Sequence, residues 1–199
     1  MKKIYYFIIA LFLLSATTIS AQNNSRTYLT YAVGFGTGDL GEFISTPSWR
    51  GASLDFLHMI NPNVALGGSV AWNVFYEEKD YDTYTDGTAS LSGKQYRYSN
   101  NLPLLVNFNY YLNPDAKVIP FVGLGTGAMY TRRNTDMNIY TIEQDAWGFT
   151  LAPQVGIELN QDFGSAFTVM VKYYNGFKAG DFDKGQSYIT LNVGWVFKS

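Results

Sequence analysis

The sequence predicts an all-β chain: an eight-stranded antiparallel up-and-down transmembrane β-barrel, preceded by a cleavable signal peptide. Three observations predict it. The N-terminus has the form of an export signal. The remainder divides into eight segments in which apolar and polar residues alternate. The bulky residues gather on one side of that alternation, and small or polar ones on the other.

The leader reads MKKIYYFIIALFLLSATTISAQ. Lys2 and Lys3 precede an apolar run from Ile4 to Leu14, and small residues lead to Ser20-Ala21-Gln22. Cleavage after Ala21 is expected, which makes residues 1–21 the signal peptide and 22–199 the barrel domain. The apolar run is shorter than the ~20 residues a membrane-spanning helix needs.

Eight strands are predicted at 27–36, 49–60, 64–76, 97–112, 118–131, 147–159, 166–177 and 188–197. Each is long enough to cross a bilayer as a tilted strand, which takes about 9–11 residues. One face carries Leu29, Tyr31, Val33 and Phe35 in the first segment and Ala52, Leu54 and Phe56 in the second. It carries Leu102, Leu104, Val106, Phe108 and Tyr110 in the fourth. None of this face is charged. The other face carries Thr30, Ser53, Asp55, Asn73, Asn107, Asn109, Gln154, Glu158, Thr168, Lys172 and Asn192. Eight strands enclose little space, so the bulky face belongs outside against lipid and the small polar face inside. Between these segments the connections alternate long and short. The short ones carry turn residues, Asn61-Pro62-Asn63 and Asn113-Pro114-Asp115. Tyr76, Tyr130 and Trp147 are expected at one rim, and Tyr110, Phe167, Trp195 and Phe197 at the other, as two aromatic girdles.

Composition narrows the function. With Lys2 and Lys3 in the leader, 12 basic and 16 acidic residues remain. No basic excess is left for nucleic-acid phosphates, so no nucleic-acid partner is expected. The absence of cysteine excludes disulfides, thiolate zinc sites, thiol catalysis and a lipid-modified N-terminal cysteine. The single histidine, His58, lies beside the short turn Asn61–Asn63 and leaves little for a metal site or triad. Gly34-Phe35-Gly36-Thr37-Gly38 and Gly123–Gly127 have the look of nucleotide loops. Their glycines recur every second residue inside strands rather than opening a helix, so close packing is the expected role. Asp181, Asp183 and Gly185 form a fragment of a Ca²⁺ loop that lacks the distal Glu. No metal or cofactor and no catalysis are expected.

Asp55, Arg97, Glu158 and Lys172 all fall on the inward face and are expected to form a polar cluster, with Lys172 bridging Glu158 and Asp55. The long connections are rich in Tyr and acidic residues. They are the expected place for any binding role.

The chain resembles the small eight-stranded outer-membrane barrels of OmpA and OmpX type, in the form common in Bacteroidota. The likeness rests on the Ser20-Ala21-Gln22 processing site, on Ile119-Pro120-Phe121-Val122-Gly123-Leu124-Gly125-Thr126-Gly127, and on the closing strand Tyr188–Phe197. The resemblance implies residence in the outer membrane of a Gram-negative bacterium, contact with its lipid, and insertion by the barrel-assembly machinery. Trp195 and Phe197 would form the closing signal that this machinery reads, although Lys198 and Ser199 follow the terminal aromatic. The resemblance specifies architecture and location, not activity; the role expected from the loops is structural or surface-interacting, with a protein partner on the loops or lipid-facing strands. The alternatives are a narrow channel for water, ions or small solutes, and an accessory subunit of a larger outer-membrane complex.

Overall fold

The computed structural model describes residues 24–86, 89–161 and 164–199. The expected signal peptide, 1–21, lies outside the described residues. Eight strands form one closed antiparallel barrel in which each pairs with its sequence neighbour: β1 (Ser25–Thr37), β2 (Ser48–Asn61), β3 (Val64–Asp86), β4 (Ala89–Tyr111), β5 (Val118–Met137), β6 (Tyr140–Asn160), β7 (Ser165–Gly176) and β8 (Gln186–Lys198). A six-residue helix, α1 (Gly38–Phe43), follows β1. The barrel closes where β1 meets β8, in unbroken register from Arg26 opposite Lys198 to Thr37 opposite Ser187. Backbone hydrogen bonds between Ser25 and Ser199, 3.0 and 3.1 Å, complete that seam. This places the start of β1 and the end of β8 at the same end as the Asn61–Asn63 turn; it is called the inner end below.

The bulky face points outward. Leu29, Tyr31, Phe56, Leu104, Val106, Phe108, Val122, Phe149, Leu191 and Trp195 are all exposed. Asn73, Asn101, Asn107, Asn109, Thr168, Thr190 and Asn192 are buried inside. An apolar exterior around a polar interior inverts the soluble pattern and suits hydrocarbon outside. The glycines of β5 make room within. A Cβ on Gly123 would sit 2.1 Å from Asn109 Oδ1, and one on Gly125 would sit 2.5 Å from Asn107 Oδ1. Their period-2 spacing therefore serves the packing of inward amides.

Two expectations are corrected. The interior is not uniformly small and polar. Tyr28, Tyr111, Ile119 and Phe121 fill its inner end, and Phe75, Tyr174 and Tyr188 fill its outer end with Leu40 and Ile44. Apolar layers thus stopper both ends of a polar middle. The connections after the third and fifth segments are also not long loops. β3 and β4 continue pairing to Asp86 opposite Ala89, and β5 and β6 to Met137 opposite Tyr140. Polar residues occupy both faces of these extensions, so alternation is lost there while their Tyr and Thr content still favours strand.

Candidate functional site

Three levels of side chains block the lumen. At the inner end, Glu158 is 0% exposed and is surrounded by partners. Arg26 Nη1 donates to Oε2 at 2.6 Å, and Lys198 Nζ lies 2.9 Å from the same oxygen. The Tyr28 hydroxyl donates to Oε1 and shares a 2.6 Å hydrogen bond with the Tyr111 hydroxyl. The Arg26 guanidinium stacks 4.1 Å from the centre of the Tyr111 ring.

In the middle, Lys172 Nζ donates to Asp55 Oδ2 at 2.6 Å and to Ser53 Oγ at 3.3 Å. Ser53 Oγ in turn donates to Asp55 Oδ1 at 3.1 Å. Both charged groups are almost fully buried, at 3% for Asp55 and 2% for Lys172, and their pairing offsets a desolvation cost that neither would bear alone. Gln154 Nε2 donates to Asn109 Oδ1 at 2.5 Å, and Thr131 Oγ1 to Asn101 Oδ1 at 3.0 Å.

At the outer end, α1 lies over the mouth. Leu40 and Ile44 insert beneath it. Phe43 is flanked by the guanidinium groups of Arg133, at 4.4 Å, and Arg97, at 5.1 Å. Phe182, from the connection between β7 and β8, covers Arg133 from another side at 5.4 Å. Asp39 ties the helix down through Arg133 Nη2 at 2.8 Å and Gln186 Nε2 at 3.0 Å. Partial burial pushes the Asp39 carboxyl up, but the Gln186 hydrogen bond and the Arg133 charge outweigh it and hold the group below the usual carboxylate range. After α1, Glu77 accepts from Ser45 N at 3.0 Å, Ser45 Oγ at 2.6 Å and Lys79 Nζ at 2.8 Å. Burial opposes its ionisation, and these hydrogen bonds again win and lower it.

The four residues expected to form one cluster are thus distributed over all three levels. Lys172 meets Asp55, as its inward face suggests, but not Glu158. Glu158 lies opposite Thr168, four positions along β7 from Lys172, which is about 13 Å of strand. Its cations are Arg26 and Lys198 instead. Arg97 belongs to the outer stopper, where Nη1 donates to the Phe43 carbonyl at 2.9 Å and Nε to Gln95 Oε1 at 2.6 Å. Trp195 and Phe197 both face outward, and Trp195 meets Phe167 edge-on with ring centres 5.0 Å apart. His58 is exposed at the inner rim. Asp181 and Asp183 lie in the outer connection, and the nearest cation to Asp183 is Lys178 at 3.8 Å.

Above the mouth the rim is uneven. The β2 ladder with β3 stops at Arg50 opposite Val74, and the β7 ladder with β6 stops at Thr150 opposite Gly176. β3, β4, β5 and β6 continue past both points as a four-stranded wall. Its edges, the outer stretches of β3 and β6, pair with no further strand; their lower parts are met by the connections, with Thr46 Oγ1 donating to the Tyr76 carbonyl at 2.6 Å and Gln144 Nε2 to the Asp181 carbonyl at 3.1 Å. Along β6 the last backbone tie to the neighbouring connection is Phe177 N to the Phe149 carbonyl, at 2.9 Å. Tyr81, Ile139, Tyr140 and Ile142 stand exposed on the wall.

This arrangement has solved counterparts. Over 88% of this chain and 97% of the other, it superimposes on Neisserial surface protein A with a TM-score of 0.57 and 13% identity. Over 87% of this chain and 98% of the other, it superimposes on Ail, the attachment invasion locus protein of Yersinia pestis, with a TM-score of 0.53 and 14% identity. That Ail structure holds the heparin analogue sucrose octasulfate. The fold is that of a small outer-membrane barrel. No family model and no curated protein matches the chain. The outer-membrane barrel fold accounts for the apolar exterior and the aromatic rims, and the layered stoppers are written in this chain's own residues.

Proposed function

We propose that the chain resides in the outer membrane of a Gram-negative bacterium and serves there as a surface-interaction protein, with the four-stranded wall as its working part. The observation that carries this reading is a contrast. The lumen is occupied at three successive levels, whereas the wall stands clear of the apolar band with two unpaired strand edges and exposed Tyr and Ile side chains. Free edges offer unpaired N–H and C=O groups to another chain, and exposed aromatics add contact area at low entropic cost.

Charge indicates the kind of partner. The outer extensions and connections (38–47, 77–97, 132–146 and 177–186) hold 12 Asp and Glu against 7 Lys and Arg. A sulfated polyanion of the kind bound to Ail is disfavoured at such a surface, and a neutral or basic protein segment is favoured. Cells displaying the intact barrel should adhere to a basic protein-coated surface. Cells displaying a barrel with 79–94 and 134–143 each replaced by a short turn should not, at equal amounts of folded barrel in the membrane. Equal adhesion by the two, or stable single-channel currents from the purified monomer in a planar bilayer, would overturn the reading.

A further inference from the structure

β2 contains a bulge at the outer rim. Ala32 pairs with Gly51 and Gly34 pairs with Ser48, so that Trp49 and Arg50 together stand opposite one residue of β1. Ser48 and Gly51 both face inward and are buried, while Trp49 and Arg50 are both exposed, Trp49 at 67%. In an unbroken strand, one of two neighbours must point into the lumen. The bulge instead turns both toward the lipid side, a known use of such irregularities. It is secured at each polar atom: Arg50 N donates to Ser48 Oγ at 3.2 Å, Ser48 Oγ donates to the Val74 carbonyl, and the Tyr31 hydroxyl donates to the Trp49 carbonyl.

Of twelve described basic side chains, only Arg50, Arg97 and Lys117 lack a carboxylate within 4 Å, and Arg97 is held instead by the Phe43 carbonyl and Gln95 Oε1. The Arg50 guanidinium lies 6.0 Å from the centre of the Tyr76 ring, and Tyr76 packs on Tyr98 at 4.9 Å. The acidic residue next along that face, Glu78, is taken by Lys94 at 2.5 Å. An arginine held among Trp and Tyr at the edge of an apolar band reaches for the headgroup layer. Its planar fork matches the paired oxygens of a phosphate, and no described carboxylate occupies it.

We propose that Trp49, Arg50 and Tyr76 form a binding site for the phosphate-bearing headgroup of an anionic lipid in the outer leaflet. The inference depends on membrane residence and is independent of what the wall binds. The test is native mass spectrometry of the full chain released from nanodiscs of mixed phosphatidylcholine and phosphatidylglycerol, with folding checked by heat-modifiable gel mobility. Arg50→Gln should lower retained phosphatidylglycerol about fivefold, the size of one basic side chain at a charged lipid surface. Arg132→Gln, which removes a cation at the same rim already paired with Glu143 at 2.5 Å, should leave retention unchanged. Arg50→Lys keeps the charge without the fork and should fall between; it is read alone if Arg50→Gln does not fold. Three results overturn the proposal: full retention by either Arg50 variant, equal loss from Arg132→Gln, or displacement of the lipid by millimolar inorganic phosphate, which would indicate a simple anion site.

Discussion

The inner and outer stoppers close the same lumen by different means. The inner one is built from strand residues alone: Arg26 and Tyr28 of β1, Tyr111 of β4, Glu158 of β6 and Lys198 of β8. The outer one is built by α1 and the connection carrying Phe182, which reach over strand residues such as Arg133. A group placed by the ladder cannot leave without opening the barrel, whereas a group placed by a connection can. The inner stopper should therefore behave as part of the global fold and the outer one as a locally opening unit.

The largest effect should come from the inner end. Glu158→Ala leaves two cations without their carboxylate and should cost about 3–5 kcal/mol, read from urea unfolding in lipid vesicles; a loss no larger than that of the outer variant Leu40→Ala would remove the distinction between the two stoppers. In the middle, Lys172→Ala should cost about 3 kcal/mol for the same reason, and the double change Asp55→Leu with Lys172→Met should recover most of it. A double variant no better than the single would show that the pair contributes more than its own desolvation cost. At the outer end, Leu40→Ala should cost about 2 kcal/mol and should not produce conductance, because the two deeper levels remain. The smallest effect is that of pH. The Asp39 and Glu77 carboxyls are lowered in the folded chain. Their ties thus contribute fully above the ordinary carboxylate range and are lost as pH falls through the lowered values. Amide protection at residues 38–45, corrected for the intrinsic exchange rate at each pH, should fall on acidification while that of the β8 strand amides does not, and Asp39→Asn should flatten that response.

Alternation along the chain made the barrel and its orientation legible, because a strand with one lipid face and one polar face leaves an unmistakable period of 2. It also put Asp55, Glu158 and Lys172 inside. What alternation cannot encode is height. Face comes from parity, but the level at which two inward residues meet comes from the stagger between strands, and so Lys172 was matched to Glu158 as well as to Asp55. Arg26 lies one residue before the first segment that alternation marks, and Lys198 follows the terminal aromatic where alternation has ended; each is a partner of Glu158. The wall leaves no period of 2 in the sequence because both of its faces meet water. α1 escaped because Gly-Asp-Leu-Gly-Glu-Phe is too short and glycine-rich to show a helical period, and its first residue, Gly38, takes a φ of +54° that suits glycine. The bulge at Trp49-Arg50 left only a faint trace, a charge beside a tryptophan where a strand begins.

The seam between the first and last strands has a consequence for assembly. Arg26 and Glu158 are separated by 132 positions, and Lys198 lies on the strand that closes the barrel against β1. Until that strand arrives, the carboxylate has only part of its complement and must stay hydrated or incur the cost of an uncompensated charge. Completion of the triad and disappearance of the last open sheet edge are thus one event. A reporter placed at Tyr28 would time ring closure itself, late in folding, rather than the earlier zipping of neighbouring hairpins.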